Sequence, residues 1–128
     1  MMAKSFRDLK VWNLSMDLTV LIYDLTTDFP KHETYGLSSQ MRRAAVSIAS
    51  NLAEGSSRSS KKDFRNFVII ARGSNSELQT QIILASRLGY ATPAKLNEAE
   101  CLCHEVARML NGLSRFLATK SPSPHTNN

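Results

Sequence analysis

A chain of 128 residues, 42% hydrophobic and 21% charged, is long enough to enclose one apolar core and too apolar to be disordered throughout. Five glycines and four prolines exclude a collagen-like chain and argue against a turn-rich sandwich, which leaves helices as the expected building block. The net charge of +5 points toward an anionic partner and makes the location of the excess the useful question.

From Asp8 to about Thr27, one apolar stripe falls at Leu14, Leu18, Leu21 and Leu25 and a second at Trp12, Met16 and Tyr23, which predicts a helix buried on two sides. Phe29-Pro30 should end it, because proline donates no backbone hydrogen bond and pushes its predecessor out of the helical region. After a turn from Lys31 to Gly36, a second helix carries Leu37, Met41, Ala44 or Ala45, Ile48 and Leu52. Glu54-Gly55 reads as its end, with glycine just past the last turn. Ser56 to Ser59 read as a polar connection, and Ser60 with Asp63 matches the reciprocal cap of a helix start. The third helix follows Phe64, Phe67 or Val68, Ala71, Leu78, Ile82 and Ala85 toward Leu88, and stops at Gly89-Tyr90. Within it Gly73, Ser74, Asn75 and Ser76 form a small, polar face, read as close helix packing with a ligand notch as the other reading. Thr92-Pro93 opens a fourth helix whose Leu96, Ala99, Cys103, Val106, Leu110, Leu113 and Leu117 alternate four and three apart.

Four amphipathic helices with short connections predict an all-α, antiparallel up-down-up-down four-helix bundle over residues 1–120, with a disordered C-terminal tail over 121–128. The apolar faces of the first and third helices exceed what one bundle core needs, so self-association is expected. No apolar run approaches the roughly 18 residues of a membrane span, and Met1 to Lys10 lack the apolar centre of a signal peptide, so no membrane contact and a cytoplasmic location are expected.

The search for chemistry leaves little. No phosphate loop, zinc-helix motif or nucleophile elbow occurs. Cys101, Cys103 and His104 cannot share one helical face, and with His32 in a turn and His125 in the tail no fourth ligand completes a metal site. Glu54 and Glu77 fall near opposite ends of an antiparallel hairpin and cannot act as an acid-base pair. Asn51, Glu54 and Arg58 are expected to organise the corner by meeting orphan backbone groups.

The excess charge is local. Between Arg42 and Arg72 lie Arg42, Arg43, Arg58, Lys61, Lys62, Arg65 and Arg72 against only Glu54 and Asp63, while nine bases and nine acids cancel elsewhere. Lys61 and Lys62 occupy a first helical turn, where the dipole disfavours cations by up to about 1 kcal/mol each. Stability therefore does not explain them, and free amides at a helix start beside arginines suit a phosphate. Antiparallel pairing would set Arg42, Arg43 and Arg72 at similar height in one basic stripe, whose charge reversal at Lys61, Lys62 and Arg65 should weaken anion binding while preserving the fold. Only Phe64 and Phe67 interleave with the basic residues, and the core claims both, so phosphate contact is expected without base stacking.

Phe6-Arg7-Asp8-Leu9-Lys10-Val11-Trp12, Phe29-Pro30 with Glu33, Tyr35-Gly36-Leu37, Gln40 to Ile48, Asn51-Leu52-Ala53-Glu54-Gly55, and Ala71-Arg72-Gly73-Ser74 with Glu77-Leu78 resemble the bacterial four-helix-bundle proteins encoded within 23S rRNA intervening sequences. The resemblance covers nearly the whole chain before the tail. It implies a ring-shaped homopentamer and kinship to the accessory protein of diversity-generating retroelements, which associates with a reverse transcriptase and nucleic acid. It implies no catalytic site. Arg42, Arg43, Arg58 and Arg72 fall within the stretch it matches, whereas Lys61, Lys62 and Arg65 rest on the charge argument. The expectation is a non-enzymatic homo-oligomer, without cofactor or metal, that binds RNA or DNA backbone. The alternative is a scaffold that docks a partner such as a polymerase or reverse transcriptase without touching nucleic acid.

Overall fold

The computed structural model describes residues 5–119, and the expected tail over 121–128 lies outside them. Helices α1 (Lys10–Thr27), α2 (Leu37–Ser56), α3 (Lys61–Leu88) and α4 (Pro93–Ala118) follow one another, with 3-10 turns at Phe6–Asp8 and Lys31–Glu33 and no strand among the described residues. Each helix packs on two neighbours: α1 and α3 both touch α2 and α4, while the diagonal pairs stay apart. That is the square section of an up-down-up-down bundle. No described helix is long and apolar enough to cross a membrane.

The helix ends have local causes. Ser60 Oγ accepts from the Asp63 N–H at 3.1 Å, one half of the anticipated reciprocal cap, and Thr92 Oγ1 accepts from the Lys95 N–H at 3.3 Å ahead of Pro93. At the end of α3, Gly89 takes φ 70°, a left-handed conformation that glycine adopts without strain. Its N–H then reaches Ser86 O and that of Tyr90 reaches Ala85 O, which satisfies two carbonyls of the last turn.

Those caps leave the two connections at one end of the bundle side by side, where a carboxylate ties them. Glu33 accepts from the Leu37 N–H at 3.0 Å, capping α2, and from the Tyr90 hydroxyl at 2.8 Å. The Leu37 bond chiefly, then the Tyr90 bond, hold the Glu33 carboxyl below its ordinary value of 4.5, and the same contact raises the Tyr90 hydroxyl. A folded-state value below the unfolded one stabilises at pH above the unfolded value, and that contribution disappears as pH falls through the folded value. Thermal melts of Glu33→Gln are therefore expected to depend less on pH below about 4.5 than those of the parent. Parallel curves would show that the tie contributes nothing to stability.

The core departs from expectation at four places. Helix α2 buries Leu37, Met41, Ala44, Ala45, Ile48 and Leu52 as expected, but α1 buries Val11, Ser15, Leu18, Ile22 and Leu25. Leu14 and Leu21 are only partly covered, and the expected second buried stripe is open to solvent at Met16 and Tyr23. Apolar residues surround α1, so its partners rather than its composition choose the face. Buried Ser15 and Thr26 are tolerated because their hydroxyls donate to Val11 O and Ile22 O. Gly55 is not past the helix end but inside α2, buried, where an added Cβ would lie 2.7 Å from Phe67 Cβ and 2.9 Å from Phe64 Cδ1. Gly73 is the reverse case: a Cβ there meets nothing within 4 Å, so packing within the bundle does not require it. Its neighbours do face inward, with Ser74 Oγ 2.9 Å from Ser47 Oγ and buried Asn75 donating to Cys103 O at 3.0 Å. In α4 the seam turns at Leu110, so Ser114 takes the buried place expected of Leu113.

Candidate nucleic-acid interface

The Ser47–Ser74 contact and the seat of Gly55 against Phe64 and Phe67 set the register of the α2–α3 hairpin. In that register Arg72 is level with Ala49, about 9 Å along the axis from Arg43 at 1.5 Å per residue. Arg72 also points toward α4, lining a groove with Asn75, Ala107 and Asn111. The expected single stripe therefore does not form: Arg42 and Arg43 lie toward one end of the bundle, Arg58, Lys61, Lys62 and Arg65 at the other, and Arg72 between them.

At the α2–α3 corner, Arg58 pairs with Glu54 at 2.8 Å and lies over the Phe67 ring. Lys61 sits over Phe116, 4.7 Å from the ring centre, and Arg65 Nε donates to Ser114 O at 3.1 Å, fastening α3 to α4. Only Lys62 is fully turned to solvent without such a contact. Reversing charge at Lys61 and Arg65 would thus disturb packing as well as potential, and the exposed residues Arg43, Lys62 and Arg72 are the cleaner probes. The corner carbonyls are met by the hydroxyls of Ser56 and Ser57, which donate to Ala53 O and Glu54 O, and not by Asn51, Glu54 or Arg58 as expected. Asn51 instead donates to Ser47 within α2. Cys103 is buried in the α4 seam and Cys101 is exposed, and burial, with the Glu100 charge second, pushes the Cys103 thiol up to about 12.

At the other end, Arg42 turns away from α3 toward α1. Its Nε donates to Thr26 Oγ1 at 2.8 Å, Nη2 donates to Tyr23 O at 3.3 Å, and its guanidinium lies 4.6 Å from the Tyr23 ring centre. Arg42 and Arg43 line a groove of about 800 Å³ between α1, α2 and their connecting segment. Lys31, Tyr23 and Tyr35 line it too, along with a series of serine and threonine hydroxyls and no carboxylate. Sequence reasoning missed Tyr23, Lys31 and Tyr35 because three separate segments assemble the groove. The one local signal was Tyr35, a large aromatic in an otherwise polar turn.

The model of the 23S rRNA-intervening sequence protein family matches residues 7–112, spanning all four helices. The chain belongs to this family. A crystal structure of a protein of unknown function from the S23 ribosomal protein family of Bacteroides thetaiotaomicron shares the fold, with TM-score 0.73 and 23% sequence identity, covering 85% of this chain and 99% of that one. No curated protein matches the chain. Family membership accounts for the four-helix architecture and carries no assigned activity.

Proposed function

We propose that this family member is a non-enzymatic, homo-oligomeric bundle that binds the phosphate backbone of RNA or DNA through the basic surface of α2 and α3. One observation carries the reading: the seven cations from Arg42 to Arg72 share their stretch with only Glu54 and Asp63, and among the described residues only Arg58 has a carboxylate within 4.0 Å. Cations without a carboxylate partner raise the potential along the hairpin, and the exposed Arg43, Lys62 and Arg72 can turn onto phosphates without breaking an ion pair.

Assembly is supported by the outward faces of α1 and α3. Val20 is 67% exposed on α1, and Ile69, Ile70, Leu84 and Leu88 are each about half exposed on α3. The two helices are diagonal partners, so these are two distinct faces, and a head-to-tail contact between them builds a ring where the rotation from copy to copy closes. Five copies is the number the family resemblance implies. A molecular mass in solution at micromolar concentration tests this, and a monomer overturns it.

Nucleic-acid binding is tested by fluorescence anisotropy with single-stranded and duplex RNA and DNA at several salt concentrations, with assembly followed in the same buffers. Affinity should fall linearly on a log-log salt plot. The combined Arg43→Glu, Lys62→Glu and Arg72→Glu variant should flatten that slope by about 2 on single strands and about 3 on duplex DNA, if each contacts one phosphate. Absence of binding by the assembled parent at low salt overturns the reading, and favours a scaffold that docks a protein such as a polymerase through the exposed α3 face.

A further inference from the structure

We infer that the groove between α1, α2 and their connecting segment takes an unpaired nucleotide of single-stranded RNA or DNA, with the base on Tyr35 and the phosphate at Arg43 and Lys31. The inference rests on the nucleic-acid reading above and gives it a place and a strand preference. Three features of the groove carry it.

The first is charge. Lys31, Arg42 and Arg43 line it with no Asp or Glu among the lining residues, so its walls present cations to an entering anion. The second is order. Arg42 is held by Thr26, by the Tyr23 carbonyl and by the Tyr23 ring, which uses Nε and Nη2 and leaves Nη1 without a hydrogen-bond partner among the described residues. A guanidinium fixed in this way loses little rotamer freedom on binding a phosphate oxygen. The third is Tyr35, which is 96% exposed and contributes no packing to the bundle. An aromatic ring in water at the rim of a cationic groove supplies what backbone attraction lacks, a flat apolar surface for a base.

The combination selects for a single strand. A base inside a duplex is covered on both faces by its neighbours, so Tyr35 can stack only on one that is free, while Arg43 and Lys31 serve any phosphate. The hydroxyls of Thr34, Ser38 and Ser39 line the same groove and can donate to or accept from a base edge or a ribose. The groove volume of about 800 Å³ lies within the range of small-molecule clefts.

The test uses the full chain in its assembled state and labelled 12-residue oligouridylate, oligodeoxythymidylate and a blunt duplex. Tyr35→Ala should weaken single-strand binding about tenfold, the loss of one aromatic–base stack, with duplex affinity and salt slope unchanged. Tyr35→Trp should restore it. Arg43→Gln should weaken both ligands and lower the salt slope by about 0.7 on single strands. If Tyr35→Ala binds single strands as the parent does while Lys62→Glu weakens them, the groove is excluded and the wider reading stands. If the parent binds none of the ligands, the wider reading fails and this one with it. If Tyr35→Ala dissociates the oligomer, the groove is a contact between copies and the inference is overturned.

Discussion

Gly55→Val is expected to destabilise the bundle by roughly 3 kcal/mol, the upper end of what overpacking a core costs. The first added carbon alone would stand 2.7 Å from Phe67 Cβ, 2.9 Å from Phe64 Cδ1 and 3.3 Å from the Phe64 carbonyl oxygen. A flexible side-chain tip can move aside, but a Cβ and a backbone oxygen move only if α3 moves. Separating α2 from α3 at the corner would also loosen Leu52 and Val68, both fully buried. In an exposed helix, replacing glycine usually gains about 1 kcal/mol of propensity, as Gly73→Ala should here, so the opposite sign at Gly55 isolates the steric effect. Urea denaturation followed by helical circular dichroism measures it. An unchanged midpoint would mean that the two helices do not approach this closely in solution.

Leu78→Ala should cost between about 2 and 5 kcal/mol, and Leu84→Ala in the same helix about 0.5 kcal/mol or less in the monomer. Leu78 is 0% exposed and Leu84 46%, so the first substitution leaves a cavity and the second removes a side chain half in water. Against a typical stability of about 5–15 kcal/mol, the first is a large fraction of the whole. The pair also reads assembly: if α3 contacts a second copy, Leu84→Ala raises the protein concentration at which the oligomer is half dissociated on dilution while leaving the monomer's unfolding unchanged. Equal losses from both substitutions would contradict the burial that separates them.

Periodicity and caps made most of the fold readable. Thr92-Pro93, Ser60 and Gly89 are local signals whose chemistry acts within one turn, and the structure uses each of them so. The narrow, alanine-rich stripe of α2 was equally clear because one face alone is apolar. Helix α1 was misjudged because its apolar residues run all round, and only contact with α2 and α4 decides that Ser15 is covered and Met16 is not. Gly55 carried the same ambiguity: a glycine near a helix end fits both a terminator and a point of close approach, and only the position of Phe64 separates them. The basic residues were readable as a charge excess but not as a surface, since linear order says nothing about whether Arg42 turns to α1 or α3. A groove built from Lys31, Tyr35 and Arg43 has no linear signature at all.

The two thiols make the bundle its own reporter. With its thiol near 12, Cys103 is thiolate in on the order of one molecule in ten thousand at pH 8, and the α4 seam shields it further. Cys101, exposed two residues away, is open to reagents in solution. A maleimide dye therefore attaches at one defined point on the outside of α4, leaving the hairpin and the groove untouched, and any uptake of a second equivalent counts the excursions in which the helices come apart.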